Sequence, residues 1–303
     1  MNPAAVGSGA TQFLTYIGSA AVIGAACLAG AVLTRYRNQA WHQATLHRTI
    51  MVGLAGASLL LLAHVTRLLA QAYATFGVDE PLRFDHVVTV IRQTAWGRGW
   101  VVQVAMAVGA VAVLARCRRT GRLSSTLAGM LALSIAVSLP LTGHAAAQTA
   151  RPVLSIGLQA IHVVAGAGWV GTLLVLWVVC LGALASPADG HDSLVAAMVR
   201  VFTPLALTGA AVAVVAGVLI SFSYFDAVPQ LWTTPYGRTL VLKVSLVAGT
   251  AGVGAYNWKR VQPNLGSPGW TEKLRRSVTG ELVFAGLLLA TTAVLVGMPF
   301  PGE

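Results

Sequence analysis

An all-α bundle, a polytopic membrane protein of about eight transmembrane helices, is the fold this sequence predicts. Three observations predict it. The 303 residues hold only 20 Lys and Arg and 9 Asp and Glu. Those charges fall in short clusters between long apolar runs, and about 20 apolar residues cross a ~30 Å hydrocarbon core as a helix. Tryptophans gather at the ends of the runs: Trp41, Trp258 and Trp270 at one side, Trp96, Trp100 and Trp232 at the other. That is the aromatic belt of a membrane protein. Helices suit lipid because they satisfy their own backbone polar groups.

The runs cover residues 13–33, 50–69, 99–115, 123–141, 153–184, 201–222, 239–258 and 281–298. The first is long enough to stay as a span rather than be cleaved as a leader. The fifth exceeds a span and is expected to tilt or project. Residues 84–96 alternate apolar positions with Asp85, His86, Arg92 and Gln93, which predicts a helix lying on the membrane surface. No linker, low-complexity segment or strong internal repeat stands out, so residues 1–303 read as a single membrane domain.

Orientation follows the basic residues. The loops after the first, third, fifth and seventh runs hold 13 of the 20, including Arg35, Arg48, Arg118, Arg200 and Lys259. The other side holds five: Arg83, Arg92, Arg98, Arg151 and Arg238. Both termini are therefore expected outside the cytoplasm. The formal charge of +11 is mostly a cytoplasmic collar facing anionic membrane lipid. It does not indicate nucleic acid, because the basic groups are split among loops with no recognition motif. Cys27, Cys117 and Cys180 fall toward the reducing side without CxxC spacing, so neither disulfides nor a cysteine relay is expected.

Polar residues inside the spans are costly and point to neighbouring helices or wet cavities. The second run carries His64, Arg67 and Gln71 on one helix face. The fifth carries Ser155, Gln159, His162, Gly166 and Trp169 on one face, with AGAG at 165–168 inviting close helix approach. The seventh carries Lys243, Thr250, Gly254 and Asn257; the fourth carries Ser134, Ser138 and Thr142 and is followed by His144.

His162 lies about 15 Å below the outer end of its helix, and His64 about 22 Å above the inner end of its own. Both are expected in the outer half or near the midplane, facing each other, with His144 capping the route outside. Imidazoles on converging helices suit copper or another transition metal. The pair His64 and His162 also suits axial ligation of a b-type haem. A hydrogen-bonded histidine bridging two helices is the structural alternative. His42, His47 and His191 read as solvated loop residues and His86 as interfacial. Met106 and Met298 offer thioethers to Cu(I), although packing is the commoner role. Arg67 and Lys243 are expected to face an outer vestibule or to snorkel. Glu281, at the start of the eighth run, is the only carboxylate candidate for a proton-coupled relay, although a helix-dipole partner is the favoured reading.

Several segments carry a family resemblance. LQAIHVVAGAGWVGTLLVLW places His162, Trp169 and Gly171, with Thr172 where a second glycine is common. LTGHAAA places His144, and TPYGRTLVLKVSLVAGTAGVGAYNWKRVQPNL places Tyr236, Gly237, Arg238, Lys243, Asn257 and Pro263. RSVTGELVFAGLLLATTAVLVGMPFP places Glu281. Together these resemble the copper-resistance protein D (CopD) family of bacterial inner-membrane proteins, most clearly over 92–303. The resemblance implies copper handling at the cell inner membrane, often with a periplasmic copper-binding protein of the CopC type.

Three readings follow. The first is copper transport, Cu(I) or Cu(II), from periplasm to cytoplasm through metal-ligating His64, His144 and His162. The second is a haem-binding redox protein, and the third a docking or assembly partner of a copper carrier. No catalytic constellation is read, so an enzyme is not expected, and no P-loop sequence suggests ATP as the energy source.

Overall fold

Each apolar run becomes one long helix, and most of these helices outrun the apolar stretch that predicts them. The computed structural model describes residues 3–77, 82–143, 152–182, 191–222 and 227–298. Helix α1 is Pro3–Cys27, extended by a π turn at Leu28–Val32 and a 3-10 turn at Leu33–Tyr36. Then come α2 (His42–Phe76), α3 (Phe84–Gln93), α4 (Ala95–Thr120) and α5 (Ser125–Ser138). Helix α6 runs Pro152–Leu181 with π turns at Ala167–Gly171 and Trp177–Leu181. Helix α7 is His191–Ser221, α8 is Gln230–Thr233, and α9 is Pro235–Tyr256, followed by a π turn at Asn257–Val261. Helix α10 is Trp270–Leu295. All but α3 and α8 are long and apolar enough to cross a membrane, and no strand occurs among the described residues. The chain is an all-α polytopic bundle of eight spans. The basic loops collect at one end of it, here called the basic end.

Helix α1 is the hub. In its most apolar window 72% of residues are buried, against 6% in the span that begins with α9, which lies at the edge with lipid-facing Leu242 and Val244. Helix α1 packs along α2 and against the Ala167–Leu176 part of α6. Glycine makes the second contact possible. A Cβ on Gly24 would collide with the backbone of Gly171, and one on Gly171 with the carbonyl of Ala20. The close approach expected at 165–168 falls instead at Gly171, where α1 is the helix that comes close; Gly166 meets open space and Gly168 only Cys27 at ordinary contact distance. Ile23, Leu28, Ile50, Leu60, Leu114 and Leu176 close the core around it.

The surface helix ends earlier than expected. Thr94 is extended, its hydroxyl accepts from the Gly97 amide at 2.8 Å, and Trp96 already belongs to α4. This turn occurs twice in the chain. Thr94-Ala95-Trp96-Gly97-Arg98 recurs as Thr234-Pro235-Tyr236-Gly237-Arg238, where the Thr234 hydroxyl accepts from the Gly237 amide at 3.0 Å. In both places a short helix precedes the threonine cap and the glycine lets that helix sit against the new span: at Gly97 against Val90 and Ile91, at Gly237 against Gln230 and Leu231. The repeat is five residues long, too short to show in hydropathy.

Glu281 is a second correction. Helix α10 begins at Trp270, so Glu281 lies about 16 Å inside it. The charged turn stays helical because Glu272 pairs with Arg275 and Arg276 on the exposed face while Leu274 and Val278 are buried. Glu272 takes the dipole role.

Candidate functional site

Polar side chains gather at three places inside the bundle. The first lies toward the end opposite the basic loops. Arg67 on α2 donates to Gln103 Oε1 at 3.2 Å and to Thr142 Oγ1 at 3.1 Å, and its guanidinium lies 5.7 Å from the Trp96 ring centroid. Gln103, fully buried on α4, donates to the carbonyls of Ser138 and Leu139 and to Thr142 Oγ1 at 3.0 to 3.1 Å. Arg67 is thus tied to neutral partners and does not snorkel; no carboxylate pairs with it among the described residues. His64, one turn away on α2, is buried. Its carbonyl accepts from Trp100 Nε1 at 2.8 Å, and its Nδ1 has no hydrogen-bond partner among the described residues.

The second place is where α6 meets α7. His162 Nδ1 lies 2.8 Å from the carbonyl oxygen of Ala213. A carbonyl only accepts, so Nδ1 carries the proton. In the neutral ring the Nε2 lone pair is then free, the arrangement that metal-ligating histidines adopt when a backbone carbonyl orients them. Gly217 leaves room for the ring: a Cβ there would stand 3.1 Å from His162 Cε1. Lys243 on α9 is within electrostatic reach of the same imidazole.

The third place is a cavity of about 110 Å³ in the basic-end half. Glu281, Asn257 and Trp169 line it, together with Thr203 and Gln262. Asn257 Nδ2 donates to Glu281 Oε2 at 3.1 Å, and Thr203 Oγ1 donates to Gln262 Oε1 at 3.1 Å. Asn257 and Trp169 both sit in π turns, a distortion frequent at functional sites.

His64 is held beside α4 and His162 against α7, and no hydrogen bond or ring contact links the two imidazoles among the described residues. Helix α1 packs on both α2 and α6. His144 lies outside the described residues. Among the described residues no group of three or more His, Cys, Asp or Glu is placed to hold a metal ion. Met106 is 37% exposed on an outward-facing side of α4, which fits lipid contact rather than ligation. The three cysteines are free. Sequence reasoning missed Gln103. A signal existed, since Trp96, Trp100 and Gln103 share one helix face.

Two family models match, described as copper resistance protein D over residues 196–295 and copper resistance protein D-like, N-terminal domain, over residues 4–152. This chain belongs to the copper resistance protein D family. It is also similar to the copper transport protein CutJ of Bacillus subtilis (strain 168), 26% identical over 262 residues. That alignment takes in 84% of this chain and 46% of CutJ, so the chain spans about half the length of that curated relative. No solved structure matches.

Proposed function

We propose that this CopD-family protein moves copper across the bacterial inner membrane, from the periplasm toward the cytoplasm. The observation that carries the reading is the tether on His162. A backbone carbonyl fixes the ring so that Nε2 offers its lone pair within the membrane, which suits a borderline or soft metal ion. The name of the CutJ relative and the family description agree with copper as the cargo. The basic collar orients the protein with both termini outside the cytoplasm, which puts His64 and His162 on the periplasmic side of the Glu281 cavity. In this reading His144 meets copper first, and His162 and His64 then hold it in turn, one imidazole each plus cargo-borne or water ligands. A periplasmic carrier of the CopC type delivers it.

Fixed positive charge at Arg67 and near His162 argues against a bare-cation channel and for delivery as a complex. Transfer between sites suits an ion held by few ligands at a time, because a closed four-ligand site would retain it. Copper uptake into sealed proteoliposomes is the test. The wild type should accumulate copper, His162→Ala should lose most of that uptake, and His162→Gln should not restore it. Equal uptake by wild type and His162→Ala would remove the proposed role of this imidazole, and no uptake by the wild type would remove the transport reading. A Soret band in the purified protein would point to haem instead.

A further inference from the structure

The Glu281 carboxyl has no role in the path just described, yet it is the most unusual polar group in the molecule. It is 3% exposed, deep in an apolar wall, and no cation pairs with it among the described residues. An isolated carboxylate in such a place is costly, whereas the neutral acid is not. Beside it is a second anomaly. Asn257 is 9% exposed, and its Oδ1 has no hydrogen-bond partner among the described residues, although its Nδ2 donates to Glu281 Oε2. Glu281 accepts from Asn257 Nδ2 and from the Trp169 side chain, neutral donors that leave a carboxylate's charge unpaired, while the amide oxygen of Asn257 has no donor among the described residues.

One proton resolves both problems. A protonated Glu281 is neutral, and its hydroxyl is the donor that Asn257 Oδ1 lacks in a paired acid–amide arrangement. The cavity supplies the route. About 110 Å³ is ample for water, whose share of the liquid is about 30 Å³ per molecule. From Glu281 and Asn257 the polar lining passes to Thr203 and Gln262, and Gln262 lies in the turn that follows the π segment, near the basic end.

We infer that Glu281 and Asn257 form a proton-binding site that exchanges with water at the basic end through this cavity and couples proton movement to transport. The coupling rests on the transport reading above; the proton site does not. The step is simple: carboxylate and hydronium give carboxylic acid and water, and no electrons move. Among the described residues no other titratable or charged side chain lines the cavity. Those on the packed elements lie elsewhere along them: Tyr16 and Cys27 on α1, His162 and Cys180 on α6, His191, Asp192 and Arg200 on α7, Arg238, Lys243, Tyr256, Lys259 and Arg260 on α9 and its π turn, and Glu272, Lys273, Arg275 and Arg276 on α10, with Asp192 accepting from Thr271 at the start of α10.

Two measurements on the full chain test this. In lipid nanodiscs without copper, infrared spectra across a pH titration should show a carboxylic C=O band that titrates and shifts in D2O. Glu281→Gln should lack it. Asn257→Leu keeps the carboxyl but removes its partner, so the band should move rather than vanish; this variant serves if Glu281→Gln does not fold. In proteoliposomes with an internal pH dye, copper entry should produce a pH change that Glu281→Gln loses. A missing band, a band unaltered by both substitutions, or a copper-driven pH change intact in Glu281→Gln would overturn the inference. If the wild type moves no copper while the band titrates and exchanges, the transport reading fails and the proton site stands.

Discussion

Helices α4 and α9 begin alike and end in different surroundings. Each follows a short helix, starts at a threonine cap, and carries the same aromatic-Gly-Arg turn. Nine residues after the cap, α4 has Gln103 and α9 has Lys243. Gln103 is wholly buried among α2 and α5, and every polar atom of its amide is bonded. Lys243 is half-buried on a helix that packs chiefly on α10 and α8, and no acidic partner meets it among the described residues. The same local sequence logic therefore yields a rigid strut in one half and an uncompensated charge beside a candidate copper ligand in the other. The lesson is that polar groups in membrane spans divide by satisfaction. Those fully bonded hold helices together, and those left with a free atom are where ligands and protons belong.

The largest effect should separate these two positions. Gln103→Leu strands the Arg67 guanidinium and should lower stability by about 1–3 kcal/mol, read from thermal unfolding in nanodiscs. Lys243→Met should leave stability equal or raise it, because it removes a half-buried charge from a membrane span and leaves no acidic partner unpaired. Equal losses from both substitutions would show that the two positions share one structural role.

Next in size is the His162 tether. Gly217→Ala puts a methyl against the ring and disturbs the bond to Ala213. Copper affinity, read by competition with a chelator, should fall about tenfold, the range expected for loss of a ligand-orienting contact. Unchanged affinity would mean that copper is not bound through this imidazole.

The caps come third and sharpen the repeat itself. Thr94→Ala and Thr234→Ala should each cost about 1 kcal/mol. Similar costs would mark the two turns as equivalent units. A much larger cost at Thr94 would show that the better-packed half amplifies the loss.

The smallest effect concerns Arg83 and Asp85, bonded at 3.0 Å on the exposed end of α3. Arg83 holds the Asp85 carboxyl below its ordinary range. Any stability gained is present above the ordinary carboxylate range and fades as pH falls through the lowered value. The pair is open to solvent, so Asp85→Asn should not measurably change the melting temperature at neutral pH. A clear loss would place this helix in a contact beyond the surface ion pair.

What the sequence determined by itself is the part governed by the solvent. Eight spans, the aromatic belt and the basic collar follow from the cost of polar groups in hydrocarbon, which each segment carries locally. The stripes of His64, of His162 with Trp169, and of Thr250 with Asn257 face inward for the same reason. Partners were not legible, because they depend on which helices touch. Only packing decided that α1 lies against α2 at Gly18 and Gly56 and against α6 at Gly24 and Gly171, and that His162 rests on Ala213. Only packing set Gln103 among three carbonyl and hydroxyl oxygens. Glu281 shows the gap most plainly. Its charged flank made it look like a helix start, yet pairing of Glu272 with Arg275 and Arg276 lets α10 begin three turns earlier. A carboxyl read as a helix-dipole partner is instead a buried acid beside an amide with an unbonded oxygen, because side-chain satisfaction is a property of neighbours brought together in space.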